Sequence, residues 1–228
     1  MASRYLPRWL WLWFPPILLL IILPIRIVSP EFYSANIDGE LGLIELATPL
    51  ISIIGFIVGL GTVKLAWPQV GHRERVWYLM VTLGCFYFAG EELSWGQHFF
   101  GWGTPEYLEQ INDQEETNIH NISSWFDQKP RLLLELWVLV GGVIMVLVNR
   151  GAAPISANAW FWPTLECFPT ALLAILVRLP ERIKSLFNIE QLPLELRFSE
   201  PQEYYFALFL LLYLAVARAR LKKLGSPG

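Results

Sequence analysis

A chain of 228 residues that is 54% hydrophobic, with 11 Trp and a formal net charge of -3, is narrowed to few classes before any motif is read. That apolar weight is rare in a soluble domain of this size, so the chain reads as an integral membrane protein. Nucleic acid is excluded as a partner, because no basic surface is available to displace phosphate counterions.

In chain order, the first apolar run covers residues 10–28, opening with Trp9, Trp11 and Trp13. Indole rings at a span's start suit the headgroup level. The run lacks a small-residue cleavage site, so it is expected to be an uncleaved first span, bent by Pro15, Pro16 and Pro24. A second span is expected over 41–65, with Gly55 and Gly59 at the spacing that lets helices pack closely. The third, 76–100, carries Gly84, Gly90 and the adjacent acids Glu91 and Glu92.

A polar outer loop, 101–130, follows; Thr104-Pro105-Glu106 in it has the form of a helix start and predicts a short interfacial helix. Spans four, five and six are expected over 131–148, 160–179 and 204–217, the fifth interrupted by Pro163 and Pro169. Between the last two, Ile183, Leu186 and Phe187 alternate with Arg182 and Lys184, a pattern suited to lying on a membrane surface. Cys85 and Cys167 fall inside apolar runs and are read as packing residues, not a disulfide. The expected fold is all-α: a single domain over 1–228, a polytopic membrane bundle of about six helices.

An even number of spans puts both termini on one side. Arg4, Arg8, Lys64, Arg73, Arg75, Arg150 and the basic tail from Arg218 to Lys223 fall on that side, which the positive-inside rule makes cytoplasmic. Nearly all loop acids fall on the other side. This topology gathers Glu45, Glu91, Glu92 and Glu135 near the outer leaflet, joined by His98, Glu115, Glu116 and His120, while Glu166 lies nearer mid-membrane.

Carboxylates in a membrane are expensive and are functional suspects by default. On a continuous helix Glu91 and His98, seven residues apart, share a face, as do Glu116 and His120 if that stretch is helical. Glu91, Glu92, His98, Glu116 and His120 therefore form the candidate metal set, and carboxylate with imidazole suits zinc, iron or manganese. Glu91, Glu92, Ser94 and Glu135 are the candidate catalytic groups, Ser94 because a four-residue helical spacing brings it to His98.

The competing reading gives these groups structural work. Ser94 and Gln97 then supply hydrogen bonds to Glu91 or Glu92, His120 cross-links a loop, and Glu45 and Glu135 complement helix N-termini. Trp95, Trp102 and Trp125 are read as interface anchors. No nucleophile elbow, phosphate-cradling loop or zinc-spaced cysteine pair is present.

The motifs Gly90-Glu91-Glu92-Leu93-Ser94-Trp95-Gly96-Gln97 and Glu116-Thr117-Asn118-Ile119-His120-Asn121 resemble those of an uncharacterised family of bacterial multi-pass membrane proteins. The resemblance covers about the middle quarter of the chain; it implies a bacterial inner-membrane location and no reaction type. Membrane ceramidase-like hydrolases need more histidines than the three present. The functional expectation is an outward-facing Glu/His site in a membrane-embedded enzyme, metal-dependent if the metal set is filled, acting on a lipid or lipid-linked substrate. A small proton-coupled transporter and a non-catalytic subunit of a larger membrane complex are the alternatives.

Overall fold

By hydropathy alone the final apolar run is free to face lipid on any side, yet the chain buries it on every side. The computed structural model describes residues 5–37, 42–109, 124–149, 160–192, 194 and 197–225, and all regular elements among them are helical. In chain order they are α1 (Trp9–Val28), α2 (Pro30–Asn36), α3 (Leu43–Ala66), α4 (His72–Glu92), α5 (Gln97–Phe100) and α6 (Glu106–Glu109). Next comes α7, Ser124–Trp137 continued through Val138–Ile144 and Met145–Val148, then α8 (Phe168–Leu176), α9 (Leu179–Leu186) and α10 (Ser199–Gly225).

Helix α10 is the centre. Tyr205, Phe209, Leu212, Leu214 and Leu221 have no exposed surface, the mark of a helix enclosed by others. Helix α3 runs along α10, α4 packs on α3, and α8 and α1 close the remaining sides. Gly55 and Gly59 serve the α3–α4 contact: a Cβ at Gly59 would lie 2.5 Å from Thr82 Oγ1, and one at Gly55 would lie 3.1 Å from Cys85 Sγ. The small-residue spacing is thus used inside the bundle.

Four helices, Trp9–Val28, Leu43–Ala66, Lys129–Val148 and Ser199–Gly225, are long and apolar enough to cross a membrane, and they mark a membrane-embedded protein. Helix α4 carries Val76, Leu79, Met80, Leu83 and Phe86 exposed along one face, at the three- and four-residue spacing of a helical stripe.

Two expected spans differ from what forms. The run 76–100 is no single helix: α4 ends at Glu92, Ser94, Trp95 and Gly96 take positive φ of 44°, 54° and 94°, and α5 restarts at Gln97. The run 160–179 yields only α8, led by a 3-10 turn at Leu165–Cys167. Pro169 stands in the first turn of α8, where its missing N–H costs nothing, so it starts the helix instead of interrupting one. Upstream, the carbonyls of Trp160 and Phe161 accept the Tyr213 hydroxyl at 3.2 and 3.1 Å, and Tyr78 OH donates to Trp160 O at 3.2 Å. These bonds serve an irregular segment that could not face lipid unpaired.

Candidate functional site

The expected motif Gly90 to Gln97 folds back on itself. The Trp95 ring lies where a Cβ at Gly90 would sit, 2.7 Å from the ring's Cζ3, and Trp95 Nε1 donates to Glu91 Oε1 at 2.8 Å. Left-handed φ at Ser94 and Trp95 costs of order 1 kcal/mol or more for each residue, sustained only where the surroundings dictate it. Here the indole docking on Gly90 and its bond to Glu91 are what dictate it. Glu91 is accordingly buried, with the Tyr87 hydroxyl as a further partner. Ser94 is buried too, and Gln97 Nε2 donates to Thr104 Oγ1 at 2.9 Å, bracing the start of the outer loop.

The continuous helix on which Glu91 and His98 would share a face does not form, because the backbone breaks between Glu92 and Gln97. The side chain of His98 lies outside the described residues, as do Glu115, Glu116 and His120. Among the described residues no group of three or more His, Cys, Asp or Glu is placed to hold a metal.

Glu92 turns away from Glu91. Successive helical residues point about 100° apart, and the charges acting on the Glu92 carboxyl are Glu203 and Glu200 of α10, Arg131 of α7 and Glu45 of α3. Among the described residues Glu92 makes no hydrogen bond or ion pair. Around it the network is braced. Arg131 Nη1 meets Glu203 Oε1 at 2.8 Å, and Arg131 Nη2 donates to Gln202 Oε1 at 3.0 Å. Arg178 Nη1 reaches the same Gln202 oxygen at 3.2 Å, while Arg178 Nε donates to Glu181 Oε2 at 2.9 Å. Gln202, with no exposed surface, returns its own Nε2 to Ala174 O at 3.2 Å.

Glu135, one turn beyond Arg131 on α7, pairs with Arg182 of α9. The sequence-predicted Glu45, Glu92 and Glu135 thus meet at one end of the bundle. Arg131, Arg178, Glu200, Gln202 and Glu203 belong with them and were not singled out from sequence. Their signal was positional: each lies within a turn or so of a helix end that the topology places at the same membrane face.

Glu166 is separate from this group, and it lies nearer a bundle end than the expected mid-membrane position, because the helix of its run starts only at Phe168. At the opposite end of the bundle it accepts Tyr5 N–H at 3.2 Å and the Thr164 hydroxyl at 2.6 Å. Arg220 lies there as well, over the Tyr5 and Trp160 rings at 5.6 and 5.0 Å. Between the two polar ends the interior is mostly apolar and aromatic, with the buried hydroxyl residues Ser52, Thr62, Thr82 and Thr170 among them, Trp77 Nε1 donating to Tyr213 OH at 2.7 Å and Trp137 edge-on to Trp77, Phe209 and Tyr213. No family model, no curated protein and no solved structure matches this chain.

Proposed function

We propose that this is a multi-pass protein of the bacterial inner membrane, with both termini cytoplasmic and α4 and the α8 region completing about six crossings. Its outward-facing Glu/Arg site acts as a membrane-embedded enzyme on a lipid or lipid-linked substrate. Glu92 exchanges the proton, and the braced Arg131 and Arg178 hold the substrate's anionic part. The observation that carries the reading is Glu92 itself: a carboxylate without hydrogen bond or ion pair among the described residues, set beside Glu45, Glu200, Glu203 and Arg131. A structural carboxylate in such surroundings is normally paired; one left without a partner is available for proton transfer.

Access from the lipid side is supported by the exposed aromatic residues Phe86, Tyr87, Trp95, Phe99, Phe100 and Trp102, which follow one another from the end of α4 into the outer loop. The transporter reading has less support, because between the two polar ends α10 presents Phe206, Phe209, Leu210, Leu212 and Leu214, all buried. A divalent metal enters this reading only through His98, Glu116 and His120, joined to Glu91 or Glu92. Membership of the uncharacterised bacterial family remains part of the proposal on the strength of its two motifs.

The test is lipid profiling by mass spectrometry in cells carrying wild type, a gene deletion or Glu92→Gln. Removing a general acid or base costs roughly 10²–10⁴-fold in rate, so Glu92→Gln should reproduce the deletion's profile while accumulating normally in the membrane. Restoration of the wild-type profile by Glu92→Gln refutes the role of Glu92; a deletion that leaves every lipid pool unchanged refutes the lipid substrate. Elemental analysis of the purified wild type and of His120→Ala decides the metal.

A further inference from the structure

At the end of the bundle away from Glu92, Arg218 of α10 lies partly buried against α3. Its guanidinium rests on Gly61: a Cβ there would be 2.9 Å from Cζ and 3.2 Å from both Nε and Nη2. Any larger residue at 61 would push it off. Arg218 Nε is fully buried with no hydrogen-bond partner, and among the described residues Arg218 makes no ion pair. A cation held in this way needs an anion from elsewhere.

Two further cations lie nearby. Lys64 lies one turn along α3 from Gly61, and Lys222 one turn along α10 from Arg218, so both extend the faces that meet at this seam. Of the described acids at this end, Glu166 bonds Tyr5 and Thr164, and Glu74 lies against Gly71, where a Cβ would be 2.7 Å from its Oε2, and makes no ion pair with Arg218. Arg218 sits two turns before α10 ends, at the depth where the basic residues of a span meet headgroups.

We propose that Arg218, seated on Gly61 with Lys64 and Lys222 one turn further along their helices, binds the phosphodiester of an anionic phospholipid in the leaflet at the C-terminal end of α10. The guanidinium supplies paired N–H donors in the geometry that matches phosphate oxygens. The lysines add charge that distinguishes an anionic from a zwitterionic headgroup. Gly61 is the specificity device, since it sets the depth of the guanidinium without contributing charge. A free phosphate ion shares this chemistry, and the experiment separates the two sources.

The full-length protein, purified in a non-ionic detergent, is given phosphatidylglycerol, phosphatidylcholine or inorganic phosphate in separate arms. Retained lipid is read by native mass spectrometry and stability by thermal scanning. Phosphatidylglycerol should be retained and should raise the melting temperature, and the other two should do neither. Arg218→Gln should weaken retention about fivefold, equivalent to about 1 kcal/mol. Gly61→Ala should weaken it with the charge unchanged, and this variant decides the matter if Arg218→Gln does not fold. Equal retention of phosphatidylcholine, or wild-type retention by both variants, overturns the site, and stabilisation by inorganic phosphate alone overturns its assignment to a lipid.

Discussion

Replacing Gln202 by leucine tests whether the network around it is held together by one amide. Leucine keeps roughly the volume and removes three hydrogen bonds: those received from Arg131 at 3.0 Å and Arg178 at 3.2 Å, and the one given to Ala174 O at 3.2 Å. A hydrogen bond to a charged group contributes about 1.5–3 kcal/mol, and a buried carbonyl left unpaired costs about 1–3 kcal/mol. Arg131 and Arg178 are mostly buried, at 18% and 27% side-chain exposure, so water recovers little of this. Each keeps one acid, Glu203 and Glu181, which brings the loss somewhat below the low-end sum of about 4 kcal/mol, to about 3 kcal/mol. At this chain length 1 kcal/mol moves the melting temperature by about 2–4 °C, so Gln202→Leu should lower it by about 6–12 °C in thermal scans of the purified protein. Gln202→Glu, which still accepts from both guanidiniums and loses only the donor to Ala174, should recover most of the shift. A fall of under about 2 °C for Gln202→Leu would show that Gln202 is not the joint of the network.

Two further outcomes follow from the packing and the proposed topology. Gly59→Leu should cost about 1–3 kcal/mol by overpacking, because even a Cβ meets Thr82 of α4, whereas Gly84→Leu, with nothing within 4 Å of its Cβ position, should leave the melting temperature unchanged; equal effects would refute the α3–α4 contact. Both native cysteines are buried, so introduced ones report alone: on intact cells an impermeant thiol reagent should label Tyr107→Cys and not Leu224→Cys, and the reverse pattern would place the Glu92 site on the cytoplasmic face.

What was legible in the sequence was what hydropathy measures. The cores of α1, α3, α7 and α10 lie within a few residues of the apolar runs, because twenty or so apolar residues have little choice in a bilayer. The central place of α10 was not legible. A helix facing lipid and a helix enclosed by other helices are both apolar, so Tyr204 to Leu214 reads the same in either position. The turn after Glu92 was half legible: Gly96 invites a left-handed residue, but nothing in Ser94 or Trp95 announces one. That misreading mattered chemically, since it was the continuous helix that set His98 over Glu91. The gathering of Glu45, Glu92 and Glu135 followed from span directions alone. Their partners Arg131, Arg178 and Gln202 needed the packing of α7, α8 and α10.

The two polar ends also fix how the bundle can move. Gln202 and Arg218 are sixteen residues apart on α10, about 24 Å at 1.5 Å per residue, somewhat less than the roughly 30 Å hydrocarbon thickness. Sliding α10 by one turn toward either face would carry Glu203 or Arg218 deeper into the apolar layer, and a charge at that depth costs several kcal/mol. Helix α10 is therefore the fixed post, and α3, bonded to it through Thr62 Oγ1 to Leu214 O at 3.2 Å, is fixed with it. The freer element beside Glu92 is α9, whose Leu186 and Phe187 are exposed. It is held to the site by Arg182 to Glu135 and, through Glu181, by Arg178. Glu135 is buried while Arg182 is 48% exposed, so that pair holds α9 more firmly than a surface pair would, whereas Glu181 is exposed enough for water to screen its bond to Arg178. In the proposed reading, a lipid headgroup that takes Arg182 from Glu135 would loosen α9 while Arg178 keeps its bond to Gln202, and access to Glu92 from the membrane side would then be set by α9 and not by motion of the bundle's core.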